Sequence, residues 1–312
     1  FLTLSLGLSD SFSSFKVKYE ESMDGSTEEL YKEMQKLGQE FAKIEDLPYV
    51  IDLKKTHLGL VGEKKYLYTM EKAIISELCF FHSYHDVEIV VFTDDNGIKE
   101  FSNIYWYPHL KLHSINVGTL IHTGNHGEMV LATMTNILKE RKMKILEEKK
   151  EAKFLPHFVF ILDDPALVTN HSIMEYLQSN GEKSGFSLIY TSGKRESLPD
   201  YIKTVIKLDG NEYAKIILDN SFLINKDIKL YDIKTVNMER MARKLAAIKH
   251  VKGIFSQIPE SISFFEMFNI TKPEELNIIE RWRAAAPHKS LAVPIGVRAK
   301  DDVVLLNLHE KA

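Results

Sequence analysis

The sequence predicts an α/β fold: a largely parallel sheet flanked by helices. Short apolar runs such as "VEIVVFT" (87–93) and "FVFIL" (158–162) show no in–out alternation. A strand of that kind is buried on both faces, as in parallel sheets. Amphipathic stretches of helical period separate several of these runs. Several of the runs also end in turn or polar residues, namely Gly62, Asp163-Asp164 and Thr191-Ser192. In open α/β sheets the ligand crevice lies beyond such strand ends.

Taken in order, residues 1–20 suggest one or two short strands. Residues 26–43 predict an amphipathic helix, with Leu30, Met34, Leu37 and Phe41 at helical spacing and a capping box from Ser26 and Glu29. Strands are predicted at 57–61, 87–93, 110–115, 158–162, 186–191, 204–208 and 214–218. A helix over 63–83 carries Leu67, Met70, Ile74, Leu78 and Phe81 on one face. Another, over 126–150, is apolar at Val130, Met134, Ile137 and Leu138. Its charged end, "KERKMKILEEKKEAK", reads as a solvated helix terminus. A further helix is predicted at about 169–180.

Beyond about 220 the pattern changes. "NMERMARKLAAIKHVK" is helical, with Met238, Met241, Leu245 and Ile248 along one side. "SQIPESISFFEMFNI" reads as a loop with buried aromatics. "TKPEELNIIERWRAAA" starts a last helix, with Thr271 as N-cap, Pro273 in the first turn and Glu274 closing a capping box. The final segment reads as two strands with a turn at 300–302. The expected division is 1–56 as N-terminal strands and a helix packing on the core, 57–235 as the α/β core, and 236–312 as a helical extension with strands. Both chain ends read as cuts through a longer polypeptide.

The chain has 312 residues, 44% of them hydrophobic and 27% charged, with a formal net charge of −4. That suits a packed core and gives no global attraction to nucleic acid or anionic membranes. Cys79 is the single cysteine, so neither an internal disulfide nor a cysteine-rich zinc site is available. No run of about 18 apolar residues reads as a membrane span.

Three stretches could carry chemistry. A phosphate-binding P-loop reads G-x-x-x-x-G-K-[ST] at a strand-to-helix turn. The residues from Gly62 read G-E-K-K-Y-L-Y-T. Gly62 and Thr69 stand where the first glycine and the Mg-binding hydroxyl would be. Leu67 and Tyr68 replace the glycine–lysine pair, leaving Lys64 and Lys65 earlier in the turn. Read alone, this is an ordinary strand-to-helix turn. In "HFVFILDDPALV", an apolar strand runs into Asp163-Asp164, the form of a Walker B strand whose carboxylates serve Mg²⁺ and the attacking water. "DDP" is also a good turn opener. In "SGFSLIYTSGKRESL", Thr191 ends the next strand at the place of a sensor residue. The order of the three stretches, more than any one, points to a degenerate P-loop NTPase core of RecA/FtsK-like type.

At this point the sequence resembles the membrane-anchored FtsK/SpoIIIE-type ATPases of type VII secretion systems, the EssC/EccC family. The resemblance is carried by "FLTLSLGLSDSFSSFKV" and by "HLGLVGEKKYLYTMEKAIISELCFFHSYHDVEIVVFTD", where Tyr84 replaces a proline of the family pattern. "IYWYPHLKL" adds Trp106, Pro108 and His109. The most specific match is "NIIERWRAAAPHKSLAVPIGVRAKDDVVLLNLHEKA", the lead-in to a first standard ATPase domain. Both Trp106 and His109 are expected in the core, the one packed and the other hydrogen-bonded.

The resemblance implies an ATPase-like segment between the membrane anchor and the active ATPase domains. Its implied role is non-catalytic, with no cofactor of its own, while the full-length protein uses ATP and Mg. It implies other membrane and cytosolic secretion components as partners, together with neighbouring ATPase domains of the same chain. Hexameric self-association and a place at the cytoplasmic face of the bacterial plasma membrane follow from the same likeness. The alternative is an atypical regulatory nucleotide site built from Gly62, Lys64, Lys65, Thr69, Asp163, Asp164 and Thr191. A DNA-handling role is disfavoured by the acidic balance and the lack of a basic, aromatic-rich stripe.

Overall fold

The computed structural model describes residues 2–14, 28–123, 127–147, 154–179, 181–250, 263–268, 270, 272–284, 291–299 and 302–308. The chain forms two compact units, Phe1–His250 and Val251–Ala312.

The first unit is built on a ten-stranded sheet. Its strands are β1 (Thr3–Phe12), β2 (Lys43–Asp52), β3 (Leu58–Val61), β4 (Val87–Phe92), β7 (Leu120–Ile121), β8 (His157–Leu162), β9 (Phe186–Ser192), β10 (Thr204–Leu208), β11 (Tyr213–Asp219) and β12 (Phe222–Leu230). The order across the sheet is β2-β1-β12-β11-β10-β3-β9-β8-β4-β7. From β10 to β7 every neighbouring pair is parallel. From β10 out to β2 every pair is antiparallel. The fold is thus a mostly parallel, P-loop-like α/β sheet with an antiparallel wing. A separate antiparallel pair, β5 (Lys111–Leu112) and β6 (Val117–Gly118), replaces the longer strand expected at 110–115.

The parallel strands are predominantly apolar because both of their faces are covered. Ile89, Val91, Val159 and Ile161 face α2 (Lys64–Phe81) in one core. Their alternates Val90, Phe92, Phe158, Phe160 and Leu162 face α4 (Gly127–Glu147) in the other. The period of two along each strand divides the residues between the two cores.

Several details differ from the sequence expectation. The helix expected at about 169–180 is broken into two short ones, α5 (Met174–Leu177) and α6 (Gly181–Ser184), after a 3₁₀ turn at Pro165–Leu167. On α1 (Glu28–Glu40), Met34 and Leu37 lie on the surface, as does Phe41 just after it. Phe81, placed on the buried face of α2, is exposed, although Leu78 and Cys79 in the same last turn are buried. Within the charged end of α4, Arg141 is buried, while its charged neighbours Lys139, Glu140 and Lys142 are exposed. Ser26 lies outside the described residues.

Strands β2 and β12 were not expected. Each carries charged residues and is largely exposed, so neither shows the apolar signature of the central strands. The remaining helices of the first unit are α3 (Asp95–Phe101) and α7 (Met238–Ala246).

The second unit contains α8 (Phe264–Met267), a 3₁₀ turn at Pro273–Leu276, α9 (Ile278–Ala284) and the hairpin β13 (Ala292–Ala299)–β14 (Asp302–Asn307). Phe264 and Phe265 are exposed, contrary to their expected burial. Thr271 lies outside the described residues. The box around the 3₁₀ turn uses Glu275, which accepts from the Lys272 amide, in place of Glu274. Among the described residues no helix is long and apolar enough to cross a membrane.

Candidate functional site

The C-terminal ends of β3, β4, β8 and β9 converge on one buried polar cluster. Strand β9, which ends in Thr191-Ser192, lies between β3 with its Gly62 turn and β8 with Asp163. The parallel register sets Leu60 beside Thr191 and Leu162 beside Tyr190, so these strand ends lie level.

The turn after β3 is short. Only Gly62 and Glu63 separate the strand from α2, whose first residue is Lys64. The Gly62 amide donates to the Ser192 carbonyl at 3.1 Å. A Cβ at Gly62 would come within 3.1 Å of Leu208, so close packing favours glycine there. The amides of Tyr66 and Leu67, which a P-loop would turn toward phosphate, both donate to the Glu63 carbonyl instead. Leu67 is 1% exposed and belongs to the core. Two lysines open the helix, where the macrodipole favours carboxylates, and each is offset by an acidic partner. Lys65 pairs with Glu63 at the surface, and Lys64 turns inward.

Lys64 reaches Asp163. Its ammonium donates to Asp163 Oδ1 at 2.6 Å and to the Asp163 carbonyl at 2.9 Å. The Asp163 side chain is fully buried, whereas that of Lys64 is 42% exposed. The second carboxylate oxygen accepts from Thr93 Oγ1 at 2.6 Å, and Thr191 Oγ1 stands 3.4 Å from Oδ1. Thr93 lies against the first turn of α3, where Gly97 has no Cβ to displace its hydroxyl. Asp94 caps that helix by accepting from the Gly97 amide at 2.7 Å, and it also accepts from Tyr68 Oη at 3.0 Å. Burial works to raise Asp94, but the Gly97 amide, the Tyr68 hydroxyl and Lys64 outweigh it and hold the group below the ordinary carboxylate value.

Glu71 sits beneath this network on the inner face of α2. It is fully buried, and neither carboxyl oxygen has a hydrogen-bond partner. Desolvation, reinforced by nearby Asp163, pushes it well above the ordinary value and so favours the uncharged carboxyl. The Thr191 hydroxyl lies beside it and pulls the other way, without the geometry of a hydrogen bond. Tyr68 is likewise held protonated, first by burial and then by Asp163.

Of the residues singled out from sequence, Gly62, Lys64, Asp163 and Thr191 meet at this point. The others are placed elsewhere. Lys65 is on the surface over the Tyr66 ring. Thr69 donates back to the Lys65 carbonyl within α2 and lines an apolar groove of about 310 Å³ on the outer side of that helix. Asp164 caps the 3₁₀ turn through the Ala166 amide. Sequence reasoning missed Glu71, Thr93 and Asp94. Two signals were available: an acid on an otherwise apolar helical face, and the "FTDD" end of β4, which matches the "LDD" end of β8. Trp106, expected in the core, is 38% exposed, with the Arg243 guanidinium 4.9 Å from its ring. His109 is buried and hydrogen-bonded to the His82 carbonyl, as expected.

Chemically, the cluster is an internally neutralised pair with hydroxyls on its flanks. Among the described residues no group of three or more His, Cys, Asp or Glu side chains is arranged to hold a metal.

No family model matches the chain. It is 31% identical over 316 residues to the type VII secretion system protein EssC of Staphylococcus aureus, covering 100% of this chain and 21% of that protein. It is 31% identical over 314 residues to the ESX secretion system protein EccC of Geobacillus thermodenitrificans, again covering 100% of the chain and 21% of the relative. The chain therefore spans about one fifth of the length of these curated relatives. Among solved structures, EssC (ATPases 2 and 3) from Geobacillus thermodenitrificans aligns with a TM-score of 0.52 at 15% identity, covering 99% of this chain and 59% of that one. The cytoplasmic domain of the Thermomonospora curvata type VII secretion ATPase EccC gives 0.52 at 13% identity, covering 98% of this chain and 36% of that one. At such identities the structural likeness is one of fold. With its full-length sequence matches, the chain is homologous from end to end to one segment of the EssC/EccC type VII secretion ATPases.

Proposed function

We propose that the chain is a non-catalytic, ATPase-like module of a type VII secretion motor. It would link the membrane anchor to the active ATPase domains and dock other membrane and cytosolic components. ATP and Mg would serve those other domains, at the cytoplasmic face of the membrane. Self-association, as a hexamer, would belong to the whole protein. One observation carries this reading: Asp163, the carboxylate that would serve Mg²⁺, is engaged on both oxygens by Lys64 and Thr93. A nucleotide would have to break that pair, and the helical amides of Tyr66 and Leu67 offer it no cradle. Each missing charge-assisted contact forgoes about 1.5–3 kcal/mol.

The regulatory-site alternative draws on the gathering of Lys64, Asp163 and Thr191 at one strand-end crest. Titration calorimetry and thermal shift with Mg-ATP separate the two readings. The expected result is no heat and no shift at millimolar nucleotide, and no turnover. Saturable binding or hydrolysis, lost in Asp163→Asn, would replace the proposal by the regulatory site or by an enzyme.

A further inference from the structure

The loop between α2 and β4 gathers an unusual set of rings. Tyr84 is its hub. The His250 ring stacks on Tyr84 with centroids 4.7 Å apart and planes 17° from parallel. The His113 ring stacks on Tyr84 at 4.6 Å and 11°. His85 lies against Tyr84 at 4.4 Å, and His109 meets both Tyr84 and His250 edge-on at 6.3 and 6.2 Å. His250 is the last residue of the first compact unit. It is held there by three consecutive residues of the loop. Its Nδ1 meets Ser83 Oγ at 2.9 Å, its amide donates to Tyr84 Oη at 3.2 Å, and its carbonyl accepts from His85 Nε2 at 3.1 Å. Loop and turn residues from two separate parts of the chain, 83–85 and 109–113, thus fix one short segment after α7.

We propose that this ring cluster is an acid-labile clasp. It fastens the segment after α7 to the α/β core at neutral pH and releases it when the imidazoles take up protons. The geometry supplies the reason. His109 Nε2 is committed to the His82 carbonyl at 2.9 Å, while its Nδ1 is buried without a partner. A proton on that nitrogen would make a buried, unpaired cation. The other titratable and charged groups around the hub are His82, His85 and Asp86 from the same loop, Glu88 from β4, and Lys111 and His113 from the β5 region. Glu88 Oε1 lies 2.9 Å from His113 Nδ1, and Lys111 opposes charge on His113. Desolvation, and secondarily the neighbouring imidazoles, depress His109 to about 4. Burial depresses His113 as well. In the released state these rings would titrate near the free value of about 6.5. Release therefore takes up protons, and the clasp weakens as pH falls below that value. Glu88, raised to about 7 chiefly by burial, itself takes up a proton across the upper part of that range, so its counter-charge to His113 fades as pH falls.

The test uses the intact chain with ¹³C-labelled histidine and tyrosine, followed by NMR from pH 7.5 to 4.5, with circular dichroism in parallel. At neutral pH the His250 C2–H should be ring-current shifted by Tyr84, and Tyr84→Leu should remove that shift at every pH. On acidification the shift should vanish while circular dichroism stays native. His109 and His113 should titrate in the same step, with a Hill slope above about 1. A shift that survives to pH 4.5, one lost only with global unfolding, or independent titration of His109 and His113 would each overturn the proposal.

Discussion

Asp163 is the residue on which the strand ends depend. Its carboxylate is buried and accepts from an ammonium and a buried hydroxyl, so removing it takes the acceptor from the Thr93 hydroxyl and leaves Lys64 only the main-chain carbonyl of residue 163. Losing one member of a buried pair typically costs 3–5 kcal/mol. Lys64 is partly exposed and can turn to water, which lowers the expectation for Asp163→Ala to about 2–3 kcal/mol. Urea unfolding checks it. A double-mutant cycle with Lys64→Ala should return a coupling of about 1 kcal/mol or more. A cost below about 0.5 kcal/mol would mean that the pair contributes nothing to the fold.

Among the elements, α4 depends on one side chain that its composition conceals. Arg141 donates to the Ser184, Gly185 and Pro156 carbonyls at 3.1, 2.9 and 2.7 Å, and its guanidinium lies 4.6 Å from the Phe158 ring. It thereby ties α4 to the starts of β8 and β9. A lysine carries the charge but not the planar fork, so Arg141→Lys should destabilise by about 2–3 kcal/mol. A loss in chemical denaturation similar to that of Arg141→Met would confirm that geometry, more than charge, is used. Full retention of stability in the lysine variant would contradict it.

The same residue shows where the sequence stops being legible. The central strands are readable because burial on both faces leaves mostly apolar residues, and Gly62, Asp163 and Thr191 lie at the ends of neighbouring strands. Arg141 was not readable, because one buried cation inside a charged run looks like its solvated neighbours. Strand β12 was missed for a related reason. Its pairing with β1 and β11 is set by long-range contacts, while its exposed residues mix apolar Phe222, Leu223 and Ile224 with polar Asn225, Asp227 and Lys229. Glu71 opposed the helical pattern it sits in, and such local conflicts tend to mark functional or formerly functional positions.

At the scale of the whole first unit, the buried titratable groups set a pH of maximum stability. His57, His82, His109, His113 and His157 are all depressed, chiefly by burial, with His109 at about 4 and His157 at about 3. Below about 6.5 the unfolded chain binds protons that these folded rings refuse, so they favour unfolding as pH falls toward their folded values. Asp94, held low, adds to that acid loss. Glu71, Glu77 and Glu88 behave oppositely. Burial raises all three, Glu88 to about 7, so the folded state holds protons that the unfolded chain has released. Their contribution is complete below about 4.5 and is lost as pH rises through the folded values. The two sets offset each other between about 4.5 and 6.5, only the carboxyls act above that window, and the histidines and Asp94 dominate below it.

The expected midpoint of thermal unfolding therefore peaks near pH 5–6 and declines toward both pH 4 and pH 8. With Trp282→Phe, Trp106 becomes the only tryptophan and reports the first unit alone. Its fluorescence melt at constant ionic strength, from pH 4 to 8.5, gives the curve. Glu71→Gln and Glu88→Gln should each flatten the limb above neutrality and leave the acid limb in place. A midpoint that climbs steadily to pH 8, unchanged by either substitution, would show that these carboxyls are not held protonated by burial.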